Sequence, residues 1–530
     1  MSGARALSAV ERELFTHRFA ALARGMGERL RRTAVSTNVK ERLDFSCALL
    51  DPAGRLVVNA PHIPVHLGAL GLCVRAVSAA LPLGPGDVAV TNHPGYGGSH
   101  LPDVTVITPV FGGDDLLGWV ASRAHHAELG GTRPGSMPPD ARSLAEEGVV
   151  IAPRLLVRAG TPCWNEVESL LAGGPWPSRA VAENLADLAA AMAANHHGAE
   201  TLRRLAAEHG RAEVWEAMAA LRARAAAQVR AALRRLGDGR REAEQRLDDG
   251  ALLRVALEVR GERLWVDFTG SSPVHPGNLN ATPAVVRAVV LYVLRLLVAE
   301  PLPLNEGLLD PVELRVPAGM LNPVFPDDPA AAPAVVGGNV ETSQRLVDTL
   351  LLALDLVACS QGTMNNVLFG DARFGYYETV CGGCGAGPGF AGASAVHSHM
   401  TNTRITDPEV LEHRFPVRLE RFAIRRGSGG AGEHRGGDGA VRELTFLAPV
   451  ALSVVTQHRL ERPYGLAGGE PGTPGRQRLL RRDGSVDELA SVDGREVDAG
   501  DRLLLETPGG GGWGRPAEDG RRRALPLHED

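Results

Sequence analysis

Three short apolar runs separated by glycine-rich turns confine residues 87–126 to a sheet. Asp87 to Thr91, Val104 to Phe111 and Leu116 to Ala124 each have the length and apolar content of a buried strand. The first connection is Asn92-His93-Pro94-Gly95-Tyr96-Gly97-Gly98-Ser99-His100-Leu101-Pro102-Asp103, and the second is Gly112-Gly113-Asp114-Asp115. The first delivers a histidine, His100, and three residues later a carboxylate, Asp103. The third run ends at the pair His125-His126, so more imidazole waits where the next strand finishes. Side chains alternate faces along a strand, so only one of His125 and His126 can address the same spot as His100 and Asp103. The sequence leaves the two as rivals.

Imidazole and carboxylate together are ligands of hydrolytic metal sites, which keep an incomplete protein ligand set so that substrate or water can enter. Six of the 17 histidines fall between His62 and His126, and that clustering separates them from scattered structural histidines. Asp44, in Lys40-Glu41-Arg42-Leu43-Asp44-Phe45, is a candidate fourth ligand. His62 and His66 are candidates to line the pocket. A set of oxygen and nitrogen donors suits Zn²⁺, Mn²⁺ or Fe²⁺, and nothing in the sequence selects among them.

The rest of the chain organises around this region. Residues 8–35 have helical spacing of apolar side chains, and Phe45 to Leu50 with Arg55 to Asn59 form a hairpin pattern about Asp51-Pro52-Ala53-Gly54. Residues 178–236 are alanine- and arginine-rich with helical periodicity, stopped at Gly210 and at Gly237-Asp238-Gly239. A hairpin is expected over 250–270, buried helices over 280–299 and 341–358, and a proline-rich loop over 301–333. After residue 360 glycine rises steeply, in clusters at 381–392, 427–439, 465–475 and 509–514, with β-rich pieces between them. This pattern predicts antiparallel strands joined by tight turns. The expected class is α+β or mixed α/β and multi-domain. The expected segments are a mixed α/β region with the metal loop (1–175), a helical segment (176–245), an α/β region (246–360), a glycine-rich β region (361–516) and a frayed tail (517–530).

A length of 530 residues supports about three domains. Net charge is only −6 and aromatics are 4%, so no basic, aromatic-lined nucleic-acid face is indicated. Six thinly spread cysteines do not make a disulfide scaffold. The start lacks the apolar core of a signal peptide, and the longest apolar run, Ala284 to Ala299, is broken by Arg287 and Arg295. A soluble cytoplasmic protein is expected.

Other candidate sites are weaker. Cys381-Gly382-Gly383-Cys384 has no second pair to complete a zinc site and reads as part of a packed glycine loop. The clusters at Gly427 to Gly432 and Gly509 to Gly512 lack the lysine and hydroxyl of a Walker motif and read as turns. Gly338 to Gln344 opens a helix, with Thr342 or Ser343 as its cap. Ser360 to Asn366 reads as a satisfied polar turn. No Gly-x-Ser-x-Gly elbow is present, and Cys47 sits in an apolar strand.

Several longer stretches together carry a resemblance. They are Glu41 to Ser46, Pro64 to Gly68, Asn92 to Asp103, Arg123 to Gly131, Pro134 to Pro138, Gly338 to Arg345, Ser360 to Asn366, Ser428 to Gly439 and Thr507 to Gly514. Through them the chain, from about residue 8 to 516, resembles the hydantoinase B/oxoprolinase family. That family includes the smaller subunit of N-methylhydantoinase, the C-terminal half of 5-oxoprolinase, and subunits of caprolactamase and acetone carboxylase.

The resemblance implies a two-component machine. A hydantoinase A-like partner binds ATP and phosphorylates the oxygen of a cyclic amide or imide. This chain then completes ring opening at a divalent metal (Zn, Mn or Fe). It implies metal ligation by Asp44, His100, Asp103 and the His125-His126 pair, and it accounts for the missing nucleotide site. Phosphorylation removes amide resonance and supplies a leaving group, so water can add. Glu128 or His66 is the expected general base. Glu128 stands where the family often has aspartate, and Cys381 and Cys384 occupy variable positions. The alternatives are a subunit of an ATP-dependent ketone carboxylase and a non-catalytic scaffold for the ATP-binding subunit.

Overall fold

The structure is a computed structural model that describes residues 7–59, 63–66 and 68–516. The expectations for His62 and for residues 517–530 lie outside the described residues. The fold is mixed α and β, and among the described residues the strands form four sheets.

The first sheet has seven strands, in the order Leu56–Asn59, Phe45–Leu50, Asp115–His125, Asp103–Gly112, Val88–Thr91, Arg154–Arg158 and Thr161–Pro162, all antiparallel to their neighbours. The three apolar runs of the opening pattern are therefore consecutive in space. Both faces of the sheet are covered. Val106, Val120 and Leu49 pack with Phe19, Leu22 and Met26 of helix Ala9–Thr33 and with Leu188 and Leu202 of helix Val181–His209. Their chain neighbours Ile107, Ala121 and Leu50 point the other way, onto Leu70, Val74 and Val77 of helix Ala69–Ala80. Burial on both faces is why these strands are apolar runs rather than alternating patterns.

The second sheet orders Val312–Arg315, Arg263–Asp267, Leu252–Arg260 and Gly239–Arg246. Val255, Leu257 and Val259 face helices Pro283–Leu297 and Ser343–Ala353 across a large core. The expected hairpin is its centre, but both outer strands escaped the sequence reading. Gly239–Arg246 follows a helix stop and is mostly charged, and Val312–Arg315 lies within the expected proline-rich loop. Charged edge strands suit solvent and give little apolar signal.

The two C-terminal sheets enclose a third core of Phe369, Tyr376, Leu444, Phe446, Leu452, Val454 and Leu505. The glycine clusters were expected to be separate turns, and most are something else. They run alongside one another and hydrogen-bond backbone to backbone: Gly437 N–H to Cys384 C=O (2.8 Å), Gly510 N–H to Gly437 C=O (2.9 Å) and Gly430 N–H to Gly510 C=O (2.9 Å). A Cβ on Gly383 would lie 2.0 Å from the Gly437 carbonyl oxygen, so close approach of backbones is what excludes any side chain there. Most of the N–H groups that could cradle a phosphate, including all four of Gly509 to Gly512, are thus already spent.

Among the described residues no helix is long and apolar enough to cross a membrane.

Candidate metal centre

The loop from Asn92 to Asp103 is pinned at its base and forced into shape at its tip. The Asn92 amide donates to the Leu101 and Val149 carbonyls, each at 2.9 Å, and accepts from Ile151 N–H at 2.7 Å. Pro94–Tyr96 makes one 3₁₀ turn, and Gly97 ends it at φ +81°. The buried Arg123 guanidinium donates to the Gly97 carbonyl at 2.9 Å. The chain then delivers His100 and enters the strand beginning at Asp103, whose register partner is His125.

His100, Asp103 and His125 meet, each with a ligand-type atom lying within 4.8 Å of the others, and all three are buried. His100 Nε2 is 3.1 Å and His125 Nδ1 3.4 Å from Asp103 Oδ1. The other Asp103 oxygen accepts from Ser99 Oγ at 2.5 Å and lies 3.2 Å from His66 Nε2. His66 Nδ1 is 3.2 Å from Ser46 Oγ, so that imidazole bridges two strands of the sheet. Tyr377 stacks on His125 at 4.5 Å between ring centroids, and the Arg42 guanidinium covers Tyr377 at 4.8 Å. Asn339 Nδ2 approaches His100 Nε2 at 3.1 Å.

Burial opposes the charge on Asp103, but the neighbouring His100 and His66 outweigh it and hold the carboxyl well below its ordinary range. Burial lowers His125, keeping the imidazole neutral. A carboxylate beside a neutral imidazole is the protonation state that binds a cation. Asp103 Oδ1, His100 Nδ1 and His125 Nε2 are buried without a hydrogen-bond partner. Such orphans each cost about 1–3 kcal/mol, and three on one cluster of side chains call for further partners. The donor set, two nitrogens and an oxygen, fits a divalent metal.

The other expected residues fall as follows. His126 lies beyond the strand end and turns away, its Nδ1 3.2 Å from the Asn184 amide on helix Val181–His209. Asp44 is held at the rim: its carbonyl accepts from His125 N–H at 3.0 Å, and its buried charge acts on His125 and Tyr377, but its carboxylate is not among the three converging groups. Leu43, just before it, is at φ +56°, an unusual conformation that turns the chain toward the site. Glu128 accepts from Gly130 N–H (2.7 Å), Gly135 N–H (2.9 Å) and Arg179 (3.1 Å), and none of these bonds reaches the cluster. Thr342 and Ser343 do not cap the helix. Residues Gly338–Thr342 form a π turn, and both hydroxyls donate to carbonyls, of Leu279 and Asn339.

Tyr377, Ser99 and Asn339 were not singled out from the sequence as individual neighbours of the metal loop. Asn339 lies in a flagged polar stretch and Ser99 within the loop itself. Tyr377 sits in a five-residue strand with no local mark of its role.

The sequence profile described as hydantoinase B/oxoprolinase matches residues 8–516. The chain belongs to the hydantoinase B/oxoprolinase family. Among relatives, 5-oxoprolinase 1 of Arabidopsis thaliana is 46% identical over 536 residues, covering 95% of this chain and 42% of that protein. The chain therefore spans less than half the length of that relative. Among solved structures, the ATP-dependent caprolactamase of Pseudomonas jessenii is 26% identical with a TM-score of 0.88, covering 97% of this chain and 93% of that one. A nucleotide-free acetone carboxylase shares the fold with a TM-score of 0.82 at 18% identity, over 96% of this chain and 76% of that one.

Proposed function

We propose that this member of the hydantoinase B/oxoprolinase family is the metal-dependent half of an ATP-dependent cyclic-amide hydrolase. A separate hydantoinase A-like subunit would bind ATP and phosphorylate the substrate, a hydantoin, 5-oxoproline or another lactam. The observation that carries this reading is the buried convergence of His100, Asp103 and His125 with their unpartnered atoms. The likeness to a caprolactamase over nearly all of both chains supports amide chemistry.

In this reading His100, Asp103 and His125 hold the metal, and Asp44, buried beside them, is the fourth candidate. When bound, a divalent ion supplies Lewis acidity and brings water's pKa toward neutrality. The protein's own groups set the geometry. Ser99 and His66 fix one oxygen of Asp103, leaving the other for the ion. Tyr377 and Arg42 clamp the His125 ring in plane. His66, between Ser46 and Asp103, takes the proton-handling role, because Glu128 is committed to the loop around Gly130 and Gly135.

Elemental analysis of the purified chain tests this directly. Close to one equivalent of Zn, Mn or Fe is expected, and His100→Ala and Asp103→Ala should each lose it while retaining the wild-type circular dichroism. With the ATP-binding subunit added, cyclic amides should stimulate ATP hydrolysis coupled to ring opening. A folded chain that takes up no metal, or a reconstituted pair that no cyclic amide stimulates, overturns the proposal.

A further inference from the structure

A cleft of about 420 Å³ opens on the side of the molecule next to the metal centre, between the start of helix Val181–His209 and strand Gly375–Thr379. Its wall is rich in donors. Helix Val181–His209 has no side-chain cap: its cap residue is Ala180, and among the described residues the N–H groups of Val181, Ala182 and Glu183 meet no acceptor. Three free N–H groups at a helix start, with the positive end of its dipole, attract anions.

A second feature, far away in sequence, points the same way. Asn38 lines the cleft and is fully buried, and its Nδ2 has no hydrogen-bond partner. Its oxygen accepts from Arg42 Nη1 at 3.3 Å, which leaves Nδ2 as the amide's unpartnered donor. Three arginines complete the lining: Arg179, Arg373 and Arg414. Arg179 is paired with Glu128 and Arg373 with Asp371. Arg414 bonds Thr37 Oγ1 and the Val35 carbonyl, and among the described residues it has no ion pair. Among the described residues Glu183 is the one carboxyl in the lining, and burial pushes its pKa upward.

Asn38 connects this cleft to the metal centre. Its carbonyl accepts from Asp44 N–H at 2.9 Å, and Arg42, bonded to its amide, lies over the tyrosine that stacks on His125. Donors arriving from a helix start, a side-chain amide and guanidinium groups surround a tetrahedral oxyanion better than a planar carboxylate, which one arginine can grip alone.

We propose that this cleft is a phosphate-binding site, built on the N–H groups of Val181 to Glu183, the Asn38 amide and Arg414. It rests on the hydrolase reading only for the source of the phosphate. That source is either the phosphoryl group still attached to the activated substrate or the inorganic phosphate left after ring opening.

The test is equilibrium binding of inorganic phosphate to the full chain, followed by calorimetry or ³¹P NMR. The variants are Arg414→Gln and Ala182→Glu. Both positions are exposed, and a carboxylate in the first helical turn favours the helix while filling the anion's place. Each variant should weaken phosphate binding by about ten-fold or more, with circular dichroism and metal content unchanged. Phenyl phosphate as competitor separates the sources: displacement of inorganic phosphate shows room for an esterified phosphoryl group, and no displacement assigns the cleft to the free ion. No phosphate binding to the wild type, or wild-type affinity in both variants, overturns the proposal. The measurement needs neither metal nor turnover, so failure of the hydrolase reading is seen separately.

Discussion

Arg42 shows how one buried side chain can hold a site together. Among the described residues it has no carboxylate partner. Its guanidinium instead donates to the Tyr377 carbonyl (2.7 Å), Thr379 Oγ1 (3.3 Å), Thr403 Oγ1 (3.2 Å), the Arg404 carbonyl (3.3 Å) and Asn38 Oδ1 (3.3 Å), and it covers the Tyr377 ring. A lysine has three donors on one atom and cannot reach this fan of acceptors. Arg42→Lys should fold but lose about 2–5 kcal/mol in urea unfolding, from buried acceptors left without donors. It should also release metal faster on dialysis, because Tyr377 loosens against His125. Arg42 and Asp44 were legible as part of one marked stretch. Tyr377 was not, since a tyrosine in a short strand looks like any half-buried aromatic until the opposing histidine is known.

The metal loop works as an element because of one conformation. Gly97 is at φ +81°, and a Cβ there would sit 2.6 Å from the Cys73 backbone nitrogen on helix Ala69–Ala80. Backbone cannot yield as a side-chain tip can. Gly97→Ala should therefore displace the loop, destabilise the protein by more than about 1 kcal/mol and abolish metal retention although no ligand is altered. A Gly97→Ala protein with full metal content would refute this account of the turn. Strand alternation, readable in the sequence, says that only one of His125 and His126 can face the loop. The choice comes from register: Asp103 pairs with His125, while His126 lies past the last rung and reaches helix Val181–His209 instead. The outer strands of the second sheet were illegible for a different reason, because charged edge strands carry no apolar signature.

At the scale of the whole molecule, Glu147 ties distant parts together. Its Oε1 accepts from the N–H groups of Val335 and Val336, both at 2.8 Å, in the segment leading into the π turn that carries Asn339. Its other oxygen is buried without a partner, and burial pushes its pKa from the ordinary 4.5 up to about 8. The folded protein thus holds this proton more tightly than the unfolded chain does. The associated stability is full below about pH 4.5 and is lost as pH rises through 8, by up to about 5 kcal/mol. Glu147→Gln keeps an acceptor for both N–H groups and removes the titration. Its stability relative to wild type should therefore climb between those two pH values in parallel denaturant titrations, and a constant difference would count against a buried proton at Glu147.

The sequence by itself determined the kinds of group available and their local setting. It gave a histidine and an aspartate three residues apart on a glycine turn, apolar runs that read as buried strands, glycine clusters that read as tight turns, and a resemblance to one family. Such information is local, because hydrophobic periodicity and turn chemistry constrain a residue's own backbone and burial and little beyond. Only the tertiary structure decided what meets what. Asn339 reaches His100 across 239 residues, Arg42 reaches the Tyr377 carbonyl across 335, and the glycine clusters prove to be segments of one backbone-packed assembly. Those encounters follow from sheet register and from layers packing face to face, and both depend on the whole chain at once.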